Sequence, residues 1–135
     1  MPLLFEEDYL KLKDRGLSYH EREQQRFFLF TDLRLPAGMY ATPTCDVLVE
    51  IPPNYNQAGN DMFWTHPRLY RADGKVIPQV LDLGGGDNRI CDGREFSRWS
   101  RHWNPSGKGA WRPGKDDIVS IYRRVEWALS HPDCK

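Results

Sequence analysis

Cysteine is scarce in this chain: three in 135 residues, Cys45, Cys91 and Cys134, odd in number and widely spaced. That rules out a disulfide framework as the organiser of the fold and points to a reduced, cytoplasmic setting. With the four histidines they form none of the close pairs a zinc site uses, so no metal and no cofactor is expected. Net charge is lacking too, with 19 basic residues against 19 acidic ones. Nothing global therefore draws the chain to nucleic acid or to an anionic membrane. No apolar run is long enough to span a bilayer, and the opening MPLLFEEDYLKLKDRG lacks the basic-then-apolar order of a secretion signal. There is no internal repeat.

Aromatics, by contrast, are plentiful: five Trp, six Tyr and six Phe. They favour folding over disorder, and the length suits one domain over 1–135 with a core of its own. Phe5, Tyr9 and Leu12 share one face of an expected helix over 5–14, stopped by Gly16. RFFLF lies in an expected strand over 24–32. Thr44 to Ile51 alternates, with Cys45, Val47, Val49 and Ile51 on one side. Leu48 breaks the polar side, which implies an outer cover, taken to be a helix. Pro52-Pro53 ends that strand, and Met62 to Thr65 is a short aromatic strand running into His66-Pro67. Cys91 to Trp103 reads as a short helix, with Asp92 as cap, Glu95 completing a capping box, and Phe96, Trp99 and Trp103 on one face. Asp116 to Ser130 is the clearest helix, with Ile118, Ile121, Tyr122, Val125 and Leu129 as its stripe. The class is α+β: an N-terminal helix, an antiparallel meander sheet, an irregular segment and a C-terminal helix. GAWRPGKD at 109–116 mimics a phosphate-binding loop. Asp116 stands where a hydroxyl is needed, and Trp111 and Pro113 obstruct the backbone cradle.

EIPPNYNQAGNDMFW, then Thr65-His66-Pro67-Arg68-Leu69-Tyr70 with Asp73-Gly74, and Ala110-Trp111-Arg112-Pro113 ahead of a helix, resemble the ubiquitin-conjugating (UBC) superfamily. RLYRADGK and RWSRHW are similar to its bacterial branch, associated with ubiquitin-like operons. The resemblance implies a UBC-like fold and a carrier that accepts a ubiquitin-like protein from an activating enzyme and passes it to an amine of a target protein. It also implies that the N-terminal helix docks the activating enzyme and that His66 is mainly structural, its ring bonded to backbone. Two departures stand out: Arg68 replaces the oxyanion-steadying Asn, and Lys75-Val76-Ile77 occupy the place of the family's cysteine.

Two nucleophiles remain. Cys91, in Ile90-Cys91-Asp92, would sit at the start of the expected helix with Arg89 and Arg94 nearby, a setting that favours thiolate. Its plain alternative is a small buried apolar residue. Ser100 would carry an oxyester if His102 served as its base, although on a helix residues two apart diverge. The plain alternative there is a turn with core tryptophans and solvated arginines. A UBC-like module that binds without charging is the second functional reading. Nucleic-acid binding through RWSRHW is disfavoured by neutrality and by the expected burial of its tryptophans.

Overall fold

The computed structural model describes residues 2–134. Two helices and six strands follow in the order α1 (Glu6–Asp14), β1 (Tyr19–Arg22), β2 (Phe27–Arg34), β3 (Thr44–Glu50), β4 (Phe63–His66), β5 (Arg89–Cys91), β6 (Arg94–Trp99) and α2 (Ile118–Ser130). This is the UBC-like α+β layout. The strands form one antiparallel sheet in the order β1-β2-β3-β4-β6-β5.

Alternation along the strands divides the interior into two cores. Phe28, Phe30, Val47, Val49, Phe63 and Trp99 face the helices, where Ile118, Ile121, Val125 and Leu129 of α2 meet them. In β2 the alternation slips by one: a bulge between Phe30 and Leu33, with Asp32 at φ 54°, returns Leu33 to the helix side. Asp8 of α1 is buried and ties three segments together. Its carboxylate accepts from the Tyr55 hydroxyl (2.9 Å), the Phe5 amide (3.0 Å) and the Ile118 amide (3.2 Å). Asp117 caps α2 by accepting from the amides of Val119 and Ser120.

The opposite face carries a smaller core of Phe27, Leu29, Leu48, Trp64, Cys91 and Phe96. Its cover is no helix, as Leu48 had suggested, but the curled edge of the sheet itself. Arg89 and Arg94 of the β5–β6 hairpin reach Glu50 (3.2 Å) and Asp46 (2.8 Å) of β3, and Arg22 of β1 pairs with Asp92 at its tip.

The helix expected over 91–103 is absent. Asp92 and Gly93, at φ 53° and 76°, form the two-residue turn of a hairpin. Asp-Gly is the composition that such a turn demands, because both residues need positive φ. Glu95 caps no helix; its carboxylate accepts from the Gly84 amide (2.6 Å) and the Asn88 side chain (2.8 Å). Phe96 and Trp99, expected on one helical face, lie in different cores because an odd spacing on a strand places them on opposite faces.

Candidate functional site

The expected site residues fall into three separate places. Cys91 closes β5 inside the smaller core, 4% exposed. It has no helix end beside it. Burial, with a smaller push from Asp92, raises its thiol pKa above the ordinary value, outweighing Arg22 and Arg94. Cys45 is sealed on the other face, where burial and the adjacent Asp46 push its thiol up to about 12. A nucleophilic thiolate needs the reverse of both settings.

His66 ends β4 on the side of this small core. Its ring lies over Phe96 with centroids 5.5 Å apart, and Nδ1 is 3.1 Å from the Glu95 carbonyl oxygen. Arg68 is fully engaged nearby. It donates to Asp82 (2.9 Å) and to the Leu69 carbonyl, and its guanidinium lies 4.6 Å from the Tyr70 ring centroid. Val76, in the segment where the family carries its thiol, is exposed and apolar.

Ser100 and His102 lie at the other end of β4. Phe63 pairs with Trp99 and Thr65 with Ser97, so Ser100 emerges about 13 Å along the strand from His66. Its amide donates to the Gln79 carbonyl (3.0 Å), and the Arg101 amide donates back to the Trp99 carbonyl (2.9 Å). The chain therefore makes a tight turn at Ser100 and is not helical. The obstacle that helical geometry had posed is gone. The Ser100 Oγ is 3.1 Å from His102 Nε2. On its far side, His102 Nδ1 is 2.6 Å from Asp61 Oδ1.

Asp61 was not foreseen, and no local pattern marks it. It precedes β4 and meets His102 only through pairing across 41 residues. Its placement is braced from behind. The Trp103 indole donates to the Asn60 side-chain oxygen (3.0 Å), and the Trp103 ring meets Trp111 edge-on at 5.1 Å. Trp111 in turn covers Gly59 so closely that an added Cβ would fall 2.3 Å from its ring. Only glycine fits at that position.

A carboxylate offers only acceptors, so the histidine proton sits on Nδ1, and Nε2 is left to accept from the Ser100 hydroxyl. That is the tautomer a general base requires. Beside the three residues opens a cleft of about 380 Å³, lined by Arg101, Trp103, Arg124 and Trp127. A larger cleft of about 500 Å³ lies along α2 on the other side of Trp127, between Leu33–Pro36 and Tyr122, and is lined by none of Asp61, Ser100 and His102. Among the described residues no helix is long and apolar enough to cross a membrane.

The model of the prokaryotic E2 family E matches residues 4–132 of the chain. No curated protein and no solved structure matches it.

Proposed function

Since the chain belongs to the prokaryotic E2 family E, we propose that it is a conjugating-enzyme-like carrier, acting as a single domain over its whole length, that holds a ubiquitin-like protein as an oxyester on Ser100. The observation that carries this reading is the Asp61–His102–Ser100 line of hydrogen bonds, 2.6 Å and 3.1 Å long. A ubiquitin-like protein arrives as a thioester of its activating enzyme. The Ser100 Oγ attacks the thioester carbonyl carbon while His102 Nε2 takes the hydroxyl proton. The C–S bond breaks, and the departing thiolate takes that proton, leaving an ester on Ser100. A target amine then attacks the ester carbon. The C–O bond to Ser100 breaks, and His102 relays the amine proton to the serine oxygen. Asp61 holds the imidazole in the required tautomer and balances the imidazolium that forms.

The outer side of α1 supports docking of the activating enzyme, because Arg15 at its end joins Arg112, Lys115 and Arg123 around a cleft that also holds the Lys11–Asp117 ion pair. The cytoplasm, where an activating enzyme and targets meet, is the proposed compartment. A synthetic peptide thioester tests the chemistry: intact mass spectrometry should show one acyl adduct, mapped to Ser100. The adduct should resist thiols at neutral pH and yield to hydroxylamine or base. An adduct that thiols release, or one mapped to a cysteine, overturns the assignment.

A module that binds the ubiquitin-like protein without charging is the second reading. It is favoured by the burial of Cys45 and Cys91 and by Val76 in the thiol's place. It predicts saturable binding to the wild type with no adduct.

A further inference from the structure

Two groups of arginines contrast. Arg68, Arg89, Arg94 and Arg98 each hold a carboxylate. Arg101 and Arg124, which line the cleft beside Ser100, hold none among the described residues. Arg101 is 6% exposed. Its Nη2 donates to the His131 carbonyl (3.1 Å), while its Nε is buried with no acceptor. The Arg124 guanidinium lies over the Trp103 ring at 4.7 Å, half-buried, with no hydrogen bond among the described residues. Asp61 and Asp133 act on the pair only from beyond ion-pair distance. Burial lowers the pKa of both guanidinium groups, and Arg101 lowers that of Arg124 further.

Two like charges partly withdrawn from water, with no carboxylate at ion-pair distance among the described residues, are costly to hold together. A guanidinium presents parallel donors in a fixed fork that matches a carboxylate or a phosphate. The walls of the cleft add Trp103 and Trp127, the latter 53% exposed and stacked on His131 at 4.1 Å, which supply flat apolar surface for a short stretch of chain.

We propose that this cleft is an anion subsite that receives the free C-terminal carboxylate of a peptide, with Arg124 and Arg101 as its cationic wall. The choice of a peptide carboxylate rests on the carrier reading; the demand for an anion does not. The ligand is the unconjugated chain end, as hydrolysis of the ester releases it, because a thioester or an ester has no free carboxylate. A chain end bound there lies beside Ser100, which lines the same cleft.

The test titrates the whole protein with N-acetyl-dialanine as free acid, as C-terminal amide, and with inorganic phosphate, following the indole N–H resonances of Trp103 and Trp127. The acid should shift both resonances saturably, and the amide should bind at least tenfold more weakly. Arg124→Gln should weaken the acid at least tenfold, and Arg124→Lys, which keeps the charge but loses the fork, should fall between. Equal binding of acid and amide overturns the proposal, and that comparison needs no variant to fold. Wild-type affinity in Arg124→Gln overturns it as well. Phosphate saturating the same resonances more tightly than the acid would make the anion a phosphate and remove the carboxylate assignment. Acid-selective binding by a wild type that never forms an adduct would leave the subsite and remove the carrier. A Ser100 adduct without acid–amide discrimination would do the opposite.

Discussion

The two ends of β4 hold the two candidate nucleophiles in opposite surroundings. Toward His66 the curled sheet closes over Cys91, and its thiol is walled in by Phe27, Leu29, Leu48, Trp64 and Phe96. Toward Met62 the chain leaves the sheet, and Ser100 lines an open cleft with the His102 imidazole and the Asp61 carboxylate in line beside it. A cysteine is intrinsically the better nucleophile, yet access and protonation state decide whether that advantage is realised. The proposed carrier is the poorer nucleophile in the more accessible setting.

The largest effect that would sharpen this contrast is Ser100→Ala, expected to reduce the peptide-thioester adduct to background in intact mass spectra. Next is Asp61→Asn, which leaves the imidazole misdirected and is expected to slow adduct formation by about 10²-fold. An undiminished rate would reduce Asp61 to a surface neighbour. Gly59→Ala drives a methyl group into Trp111 and should cost about 1–3 kcal/mol of stability. Its urea midpoint should fall, and the adduct rate with it as the Trp103 brace shifts. Cys91→Ala, at the closed end, should leave the adduct unchanged and cost only about 1–2 kcal/mol for the small void. Loss of the adduct in that variant would reverse the whole contrast.

The smallest expected effect concerns pH and Cys45. Folding raises its thiol pKa from an ordinary value near 9 to about 12, so the folded state holds the proton more tightly. The stability it contributes is complete below about pH 8.5. It is lost as pH climbs toward about 12. Between pH 8 and pH 10, urea midpoints of the wild type should fall by the equivalent of about 1 kcal/mol more than those of Cys45→Ala. Parallel profiles would mean that the thiol is not sealed.

Much of the fold could be read from period and punctuation. The alternation of β3 placed Cys45, Val47, Val49 and Ile51 on the inner face, and the stripe of α2 placed Ile118, Ile121, Val125 and Leu129 against them. β1 escaped notice, because Tyr19–Arg22 carries one apolar residue and gains its ladder only from β2. The segment from Cys91 to Trp103 suggests a helix because aromatics at 96, 99 and 103 fit one by spacing alone. Asp92-Gly93 was the decisive local signal, and it speaks for a hairpin. The candidate site was half legible. Ser100 and His102 were visible as residue types, but their mutual reach depended on a backbone that spacing had made helical. Asp61 joins them through strand pairing, which no local pattern encodes.

The margins of the sheet carry a consequence for recognition. β1 is four residues long and β5 three, and the ion pair between Arg22 and Asp92 draws these outermost strands toward one another. So short a free ladder offers a visiting strand little backbone to zip onto. Whatever this protein engages must grip it through side chains and clefts, and stray sheet-forming neighbours are turned away by the same geometry.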